Sequence, residues 1–159
     1  MQVPVIERAV APTDEVRTLV EALEGELAAN YPPEQRHGLS LDAIFQPSIR
    51  FFVARVDGAA VGCGGIALYH DFAEVKRMYV RPDSRGKGVA DAIIGRLESE
   101  ACGTGLSLLK LETGIHQPAA LRFYERCGFR RCPIFEPYAS KPPETIVASV
   151  FLEKPISTP

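Results

Sequence analysis

Apolar positions recur along this chain with two different periods, and the changes of period divide it into elements. Val16, Leu19, Val20, Leu23 and Leu27 recur at helical spacing. Thr13 precedes them as an N-cap, and Asp14 and Glu15 put negative charge in the first turn, where it suits the helix dipole. The pattern predicts a helix to about Asn30, ended by Tyr31-Pro32-Pro33 because proline cannot continue the hydrogen-bond ladder. Val3 to Ala9 reads as a strand before it, and Leu41 to Phe45 as a short second helix closed by Pro47. From Arg50 the period becomes two. Phe51 to Val56, Ala59 to Tyr69 and Phe72 to Val80 read as three strands of an antiparallel meander. Asp57-Gly58 supplies the first hairpin turn, and Gly62, Gly64 and Gly65 weaken the second strand or admit a bulge.

The helical period returns from about Gly86 to Cys102, where Val89, Ala90, Ala92, Ile93, Ile94, Leu97 and Ala101 form one stripe. Ser107 to Glu112 reads as the next strand. Pro118 suits the first turn of a helix running through Leu121, Phe123, Tyr124 and Cys127, with Gly128 as a left-handed stop and Phe129 as its apolar contact. Thr145 to Leu152 reads as the last strand, and Lys154 to Pro159 as a loose tail. The order predicts an α/β (α+β) domain over residues 1–159 with a mixed, mostly antiparallel sheet.

Composition narrows the function classes. At 159 residues, 46% hydrophobic and 24% charged, the chain can bury one core without metal or disulfide staples. A net charge of −2 argues against broad binding to nucleic acid or to an anionic membrane, so any basic site must be local. No window approaches the roughly 18 apolar residues of a membrane span. Cys63, Cys102, Cys127 and Cys132 lack the spacing of a zinc site, and no metal is expected. The start of the chain lacks the pattern of a secretory signal, which points to reduced thiols and the cytoplasm.

The local basic site lies at Arg85-Gly86-Lys87-Gly88-Val89-Ala90, where a strand gives way to a helix. Glycine at 86 and 88 permits positive φ and lets an anion approach the backbone. The first amides of a helix have no internal partner and the dipole favours negative charge there. Arg85 and Lys87 add charge at the rim. The loop is neither a Walker loop nor a Rossmann fingerprint, since it follows a meander and lacks both spacings.

Arg85, Gly88 and Ala90 fit Gln/Arg-x-x-Gly-x-Gly/Ala, the pyrophosphate motif of the GNAT N-acetyltransferase superfamily. Lys76-Arg77-Met78-Tyr79-Val80-Arg81-Pro82 is similar to that family's central strand. Leu111-Glu112-Thr113-Gly114 with Ala119 to Phe129 resembles its second signature, ending here in Tyr124-Glu125-Arg126-Cys127-Gly128-Phe129. The resemblance covers residues 50–152. It implies a sheet splayed between its fourth and fifth strands, with acetyl-CoA lying in the splay. Pantetheine would pair with backbone at Met78, Tyr79 and Val80, and the pyrophosphate would rest on amides of Arg85, Gly86, Lys87, Gly88, Val89 and Ala90. Gln117, where many members carry Asn, would face the cofactor with Ala120 and Tyr124.

The implied reaction passes the acetyl group directly to a primary amine of a small or amino-acid-like acceptor in a ternary complex, with no acyl-enzyme on Cys63 or Cys127. An amide of Met78 or a neighbour would polarise the thioester carbonyl. Tyr124 would return the proton to the leaving thiolate, and Glu74 would draw the amine proton, with Glu112, His70 and His116 as other bases. Glu74 could instead be paired by Lys76, Arg77 or Lys110. Tyr31, Arg36, His37, Phe45 and Tyr138 are candidate walls of the acceptor pocket. Protein acetylation and a non-catalytic acyl-CoA sensor are the competing readings, and the resemblance leaves a homodimer open.

Overall fold

The computed structural model describes residues 3–157. Seven strands form one sheet in the order β1 (Val5–Ala9), β2 (Ile49–Val56), β3 (Ala59–Leu68), β4 (Ala73–Val80), β5 (Leu108–Gly114), β7 (Ser149–Pro155) and β6 (Arg130–Arg131). All neighbours run antiparallel except β4 and β5. That parallel pair joins only at Ala73–Leu109 and Glu74–Lys110, after which the two strands part. The fold is the expected mixed α/β sheet, splayed where expected.

The central strands are buried on both faces, and their alternation assigns each side chain a layer. Phe51 and Val53 of β2 meet Val16, Leu19, Val20 and Leu23 of α1 (Asp14–Ala28) and Ile44 of α2 (Leu41–Ile44). Phe52 and Ala54 point the other way, into a core with Val89, Ile93, Ile94 and Leu97 of α3 (Val89–Gly103). Thr13 caps α1 as its sequence suggests, its hydroxyl accepting from the Val16 amide at 3.3 Å. Gly62 and Gly64 let α3 sit close. A Cβ on Gly64 would stand 2.8 Å from Ile93 and 2.5 Å from the Met78 sulfur.

The glycine-rich strand meets a bulge on each side: against β2 the extra residue is its own Val61, since Ala54 opposes Gly62 and Arg55 opposes Ala60, and against β4 it is on the neighbour. Cys63 opposes Tyr79 and Gly65 opposes Lys76, so Arg77 and Met78 together oppose Gly64. Arg77 takes φ +58 to make that bend.

Three sequence expectations need correction. α3 starts at Val89 and not at Gly86, because φ of +75 at Gly86 and +84 at Gly88 cannot belong to a right-handed helix. Thr145 lies in the short α5 (Pro143–Ile146), whose first residue is a proline, and β7 begins at Ser149. The tail is tied down as far as it is described. β7 runs to Pro155, the Ile156 amide donates to Ser107 O at 2.9 Å, and the Ile156 side chain is buried. Thr158 and Pro159 of that tail lie outside the described residues. Among the described residues, no helix is long and apolar enough to cross a membrane.

Candidate active site

Where β4 leaves β5, its edge faces a cleft instead of a strand. The far wall is α4 (Pro118–Arg126), held in place by its C-terminal stop. Gly128 takes φ +100, its amide donates to Glu125 O, and the Phe129 amide donates to Tyr124 O, both at 3.0 Å. Phe129 is buried against the Tyr124 ring, which fixes that ring.

One end of the cleft is a cavity of about 440 Å³. Met78, Tyr79, Val80, Arg85, Gly86, Gly88, Val89, Ala90, Gln117, Ala120 and Tyr124 all line it. The amides of Gly86 to Ala90 have no acceptor among the described residues. A Cβ on Gly86 or Gly88 would touch nothing within 4 Å, so positive φ requires these glycines and crowding does not. The resulting open, amide-rich turn at a helix start suits a diphosphate. The two rim cations are held in different ways. Arg85 is drawn back, its Nε donating to Val80 O at 2.7 Å, its Nη2 to Glu26 at 2.6 Å, and its Cζ lying 5.6 Å from the Tyr79 ring centroid. Lys87 is exposed, donates to Asp83 O at 3.0 Å, and stands outside the cavity lining.

The other end narrows to a chamber of about 130 Å³ that shares Leu23, Met78, Gln117, Ala120 and Tyr124 with the first cavity. Glu74 and Glu112 enter it from β4 and β5, and Tyr31, Arg36, His37, Lys76 and Arg77 complete its walls. Glu74 is 1% exposed. Its Oε2 accepts from Tyr138 and from Lys76 at 3.3 Å, while Oε1 has no partner. Burial raises the pKa of Glu112, and Ser149, donating to its Oε2 at 2.7 Å, offsets part of the rise. Burial also pushes the Tyr124 phenol upward, with Cys127 and Glu112 adding to the shift. Tyr124 lines both cavities, and its raised pKa keeps the phenol protonated at neutral pH, a donor without a hydrogen-bond partner among the described residues.

His37 Nε2 lies 2.7 Å from Thr145 O. A carbonyl only accepts, so Nε2 carries the proton and Nδ1 presents its lone pair to Lys141 Nζ at 3.4 Å. Burial lowers its pKa, and Lys141 and Lys76 lower it further.

Other candidates fall outside. Phe45 packs edge-on against Phe51 in the α1-side core. His70 is almost fully exposed beside Asp71, and exposed His116 meets Tyr31, its amide donating to the Tyr31 hydroxyl at 2.9 Å. Tyr138 is buried and reaches Glu74 from behind the chamber. Cys63 is fully buried, its thiol pushed up to about 12 and bonded to Arg77 O, which makes it inert. No motif in the sequence marks Lys141 or Ser149, and Arg77 is not the partner for Glu74 that its position suggests. Instead, Arg77 Nε donates to Leu39 O at 2.9 Å and its Nη2 pairs with Glu24. Two charges in succession, Lys76-Arg77, break the alternation of charged and apolar positions in β4 and are the available sign of a bulge there.

A family model described as "Acetyltransferase (GNAT) family" matches residues 17–129. The "IAA acetyltransferase" of Azospirillum brasilense is 41% identical over 90% of this chain and 92% of its own. The "Aminoalkylphosphonate N-acetyltransferase" of Salmonella typhimurium is 30% identical over 80% of this chain and 87% of its own. Among solved structures, a putative acyl-CoA N-acyltransferase from Klebsiella pneumoniae superposes with a TM-score of 0.76 at 32% identity, covering 97% of this chain and 98% of that one.

Proposed function

This chain belongs to the acetyltransferase (GNAT) family, and from that premise we propose that it passes the acetyl group of acetyl-CoA directly to the primary amine of a small or amino-acid-like acceptor. The observation that carries this reading is the wall common to the two cavities. Met78 and Tyr124 stand where a donor on the glycine turn and an amine in the chamber would meet.

Each residue's role follows from its surroundings. The free amides of residues 86–90 hold the donor's pyrophosphate, and the β4 edge at Met78, Tyr79 and Val80 pairs with its pantetheine arm. Gln117 and Ala120 flank that arm from α4. The bulge at Arg77-Met78 turns an amide of Met78 or a neighbour out of the ladder toward the thioester carbonyl, where it stabilises developing negative charge. Tyr124 gives its proton to the departing thiolate. Glu74 takes the amine proton through its unpartnered Oε1, while Tyr138 and Lys76 hold Oε2 still. A second base is favoured by one observation: the raised pKa of Glu112 brings that carboxylate nearer the range in which a base is poised at neutral pH.

The continuous sheet supports reading residues 1–159 as one acetyltransferase domain. Four free thiols suit a reducing compartment, and we place the enzyme in the cytoplasm. The test is initial-rate kinetics of thiol release over a panel of amines. Intersecting double-reciprocal lines are expected for direct transfer. Parallel lines with an isolable acetyl-enzyme would overturn it.

A further inference from the structure

Behind the chamber lies a second recess of about 340 Å³ that shares His37, Gly38 and Lys76 with it and adds Tyr69, Tyr138 and Lys141. The charges around these two spaces do not balance: Arg36, Arg77, Lys76 and Lys141 stand against Glu24, Glu74 and Glu112. Arg36 and Arg77 share one carboxylate, Glu24, and Lys76 pairs with Glu74. Lys141 forms no ion pair with a carboxylate among the described residues. It lies 3.4 Å from the His37 imidazole, and the Tyr138 ring is 5.6 Å from its ammonium. The imidazole is neutral and supplies no countercharge.

Two guanidinium nitrogens on the same wall, Arg36 Nε and Arg77 Nη1, are buried with no partner. Arg77 is itself only 9% exposed, and Gly38 lies against its guanidinium so closely that a Cβ there would overlap it. A buried donor without an acceptor is costly, and an uncompensated cation beside it adds to the deficit. An anion held against this wall would take up the excess positive charge. Glu74 and Glu112 line the same chamber, which suits the other end of the same molecule, an ammonium.

We propose that the acceptor is an amine carrying its own acidic group, a carboxylate or phosphonate, and that Arg36 and Lys141, on either side of His37, hold that acid while the amine faces Glu74. The proposal rests on the acetyltransferase reading and names the acceptor class within it. Carboxylate and phosphonate share the oxyanion chemistry that a cationic wall recognises, and the two are separated by including both in the test.

The experiment compares kcat/KM for matched acceptors on the intact chain: amino acids, their carboxamides, aminoalkylphosphonates and plain alkylamines of equal length. Acid-bearing amines should exceed their neutral counterparts by tenfold or more. In Lys141→Gln and Arg36→Gln the acid-to-neutral ratio should fall at least fivefold, mainly through KM, and Lys141→Arg should restore it. A purely structural loss would lower both acceptor classes together and leave the ratio unchanged, which would overturn the assignment. Equal or better turnover of the neutral amines would overturn the acidic acceptor while leaving acetyl transfer intact. Release of thiol with none of the amines, with coenzyme A still bound, would overturn the acetyltransferase reading and this proposal with it.

Discussion

The two ends of the cleft are built in opposite ways. The donor end relies on backbone: a contiguous turn, two positive-φ glycines, free amides and the edge of a strand. The acceptor end relies on side chains gathered from the end of α1, the 35–38 turn, β4, β5 and the 138–149 segment, each fixed by one or two partners. Backbone recognition tolerates change in neighbouring side chains, whereas a side-chain constellation fails when one member is removed. The donor end should therefore be robust and generic, and the acceptor end fragile and specific.

The strongest way to break this contrast is Arg77→Ala. The side chain is 5% exposed and joins Leu39 O and Glu24, so its loss should cost about 3 kcal/mol, toward the low end for a broken buried pair because Glu24 keeps Arg36 and some water. Denaturant unfolding measures it. A loss below about 1 kcal/mol, the range of a surface pair, would mean that the acceptor end is not so built. Tyr124→Phe comes next. It should lower kcat by about tenfold or more with coenzyme A affinity kept, as removal of a general acid does. An unchanged kcat with chemistry limiting removes Tyr124 from the mechanism.

The donor turn was legible in the sequence because its chemistry is contiguous: Arg85 to Ala90 shows its glycines and its helix start in six residues. The meander and the two long helices were legible for the same reason, each being a local period. The acceptor end was not. Lys141 reaches His37 across 104 positions and Tyr138 reaches Glu74 across 64, and no spacing rule connects them. Thr145-Ile146-Val147 has strand propensity, yet β7 begins only at Ser149, because the Pro142-Pro143 start fixes a helical turn there instead.

A smaller effect sharpens the donor side. Lys87 is exposed and outside the cleft, so Lys87→Glu should weaken coenzyme A by no more than about 1 kcal/mol, and high salt should erase the difference. A larger, salt-insensitive loss would assign the phosphates to side chains. The smallest effect concerns Glu112. Its pKa is raised in the folded chain, so between the unfolded and folded values the native state holds more protons and stability falls as pH rises. Glu112→Gln should flatten the decline in Tm as pH rises above the ordinary carboxylate range. A steeper decline in the variant would contradict the burial effect.

The most direct test of a backbone-built donor site is amide-resolved NMR of the chain titrated with coenzyme A and with pantetheine, which lacks the phosphates. Coenzyme A should shift the amides of Gly86, Gly88, Val89 and Ala90, and pantetheine should shift those of Met78 to Val80 while leaving the turn unmoved. Saturation with coenzyme A that leaves the turn amides where they were would contradict the donor site itself.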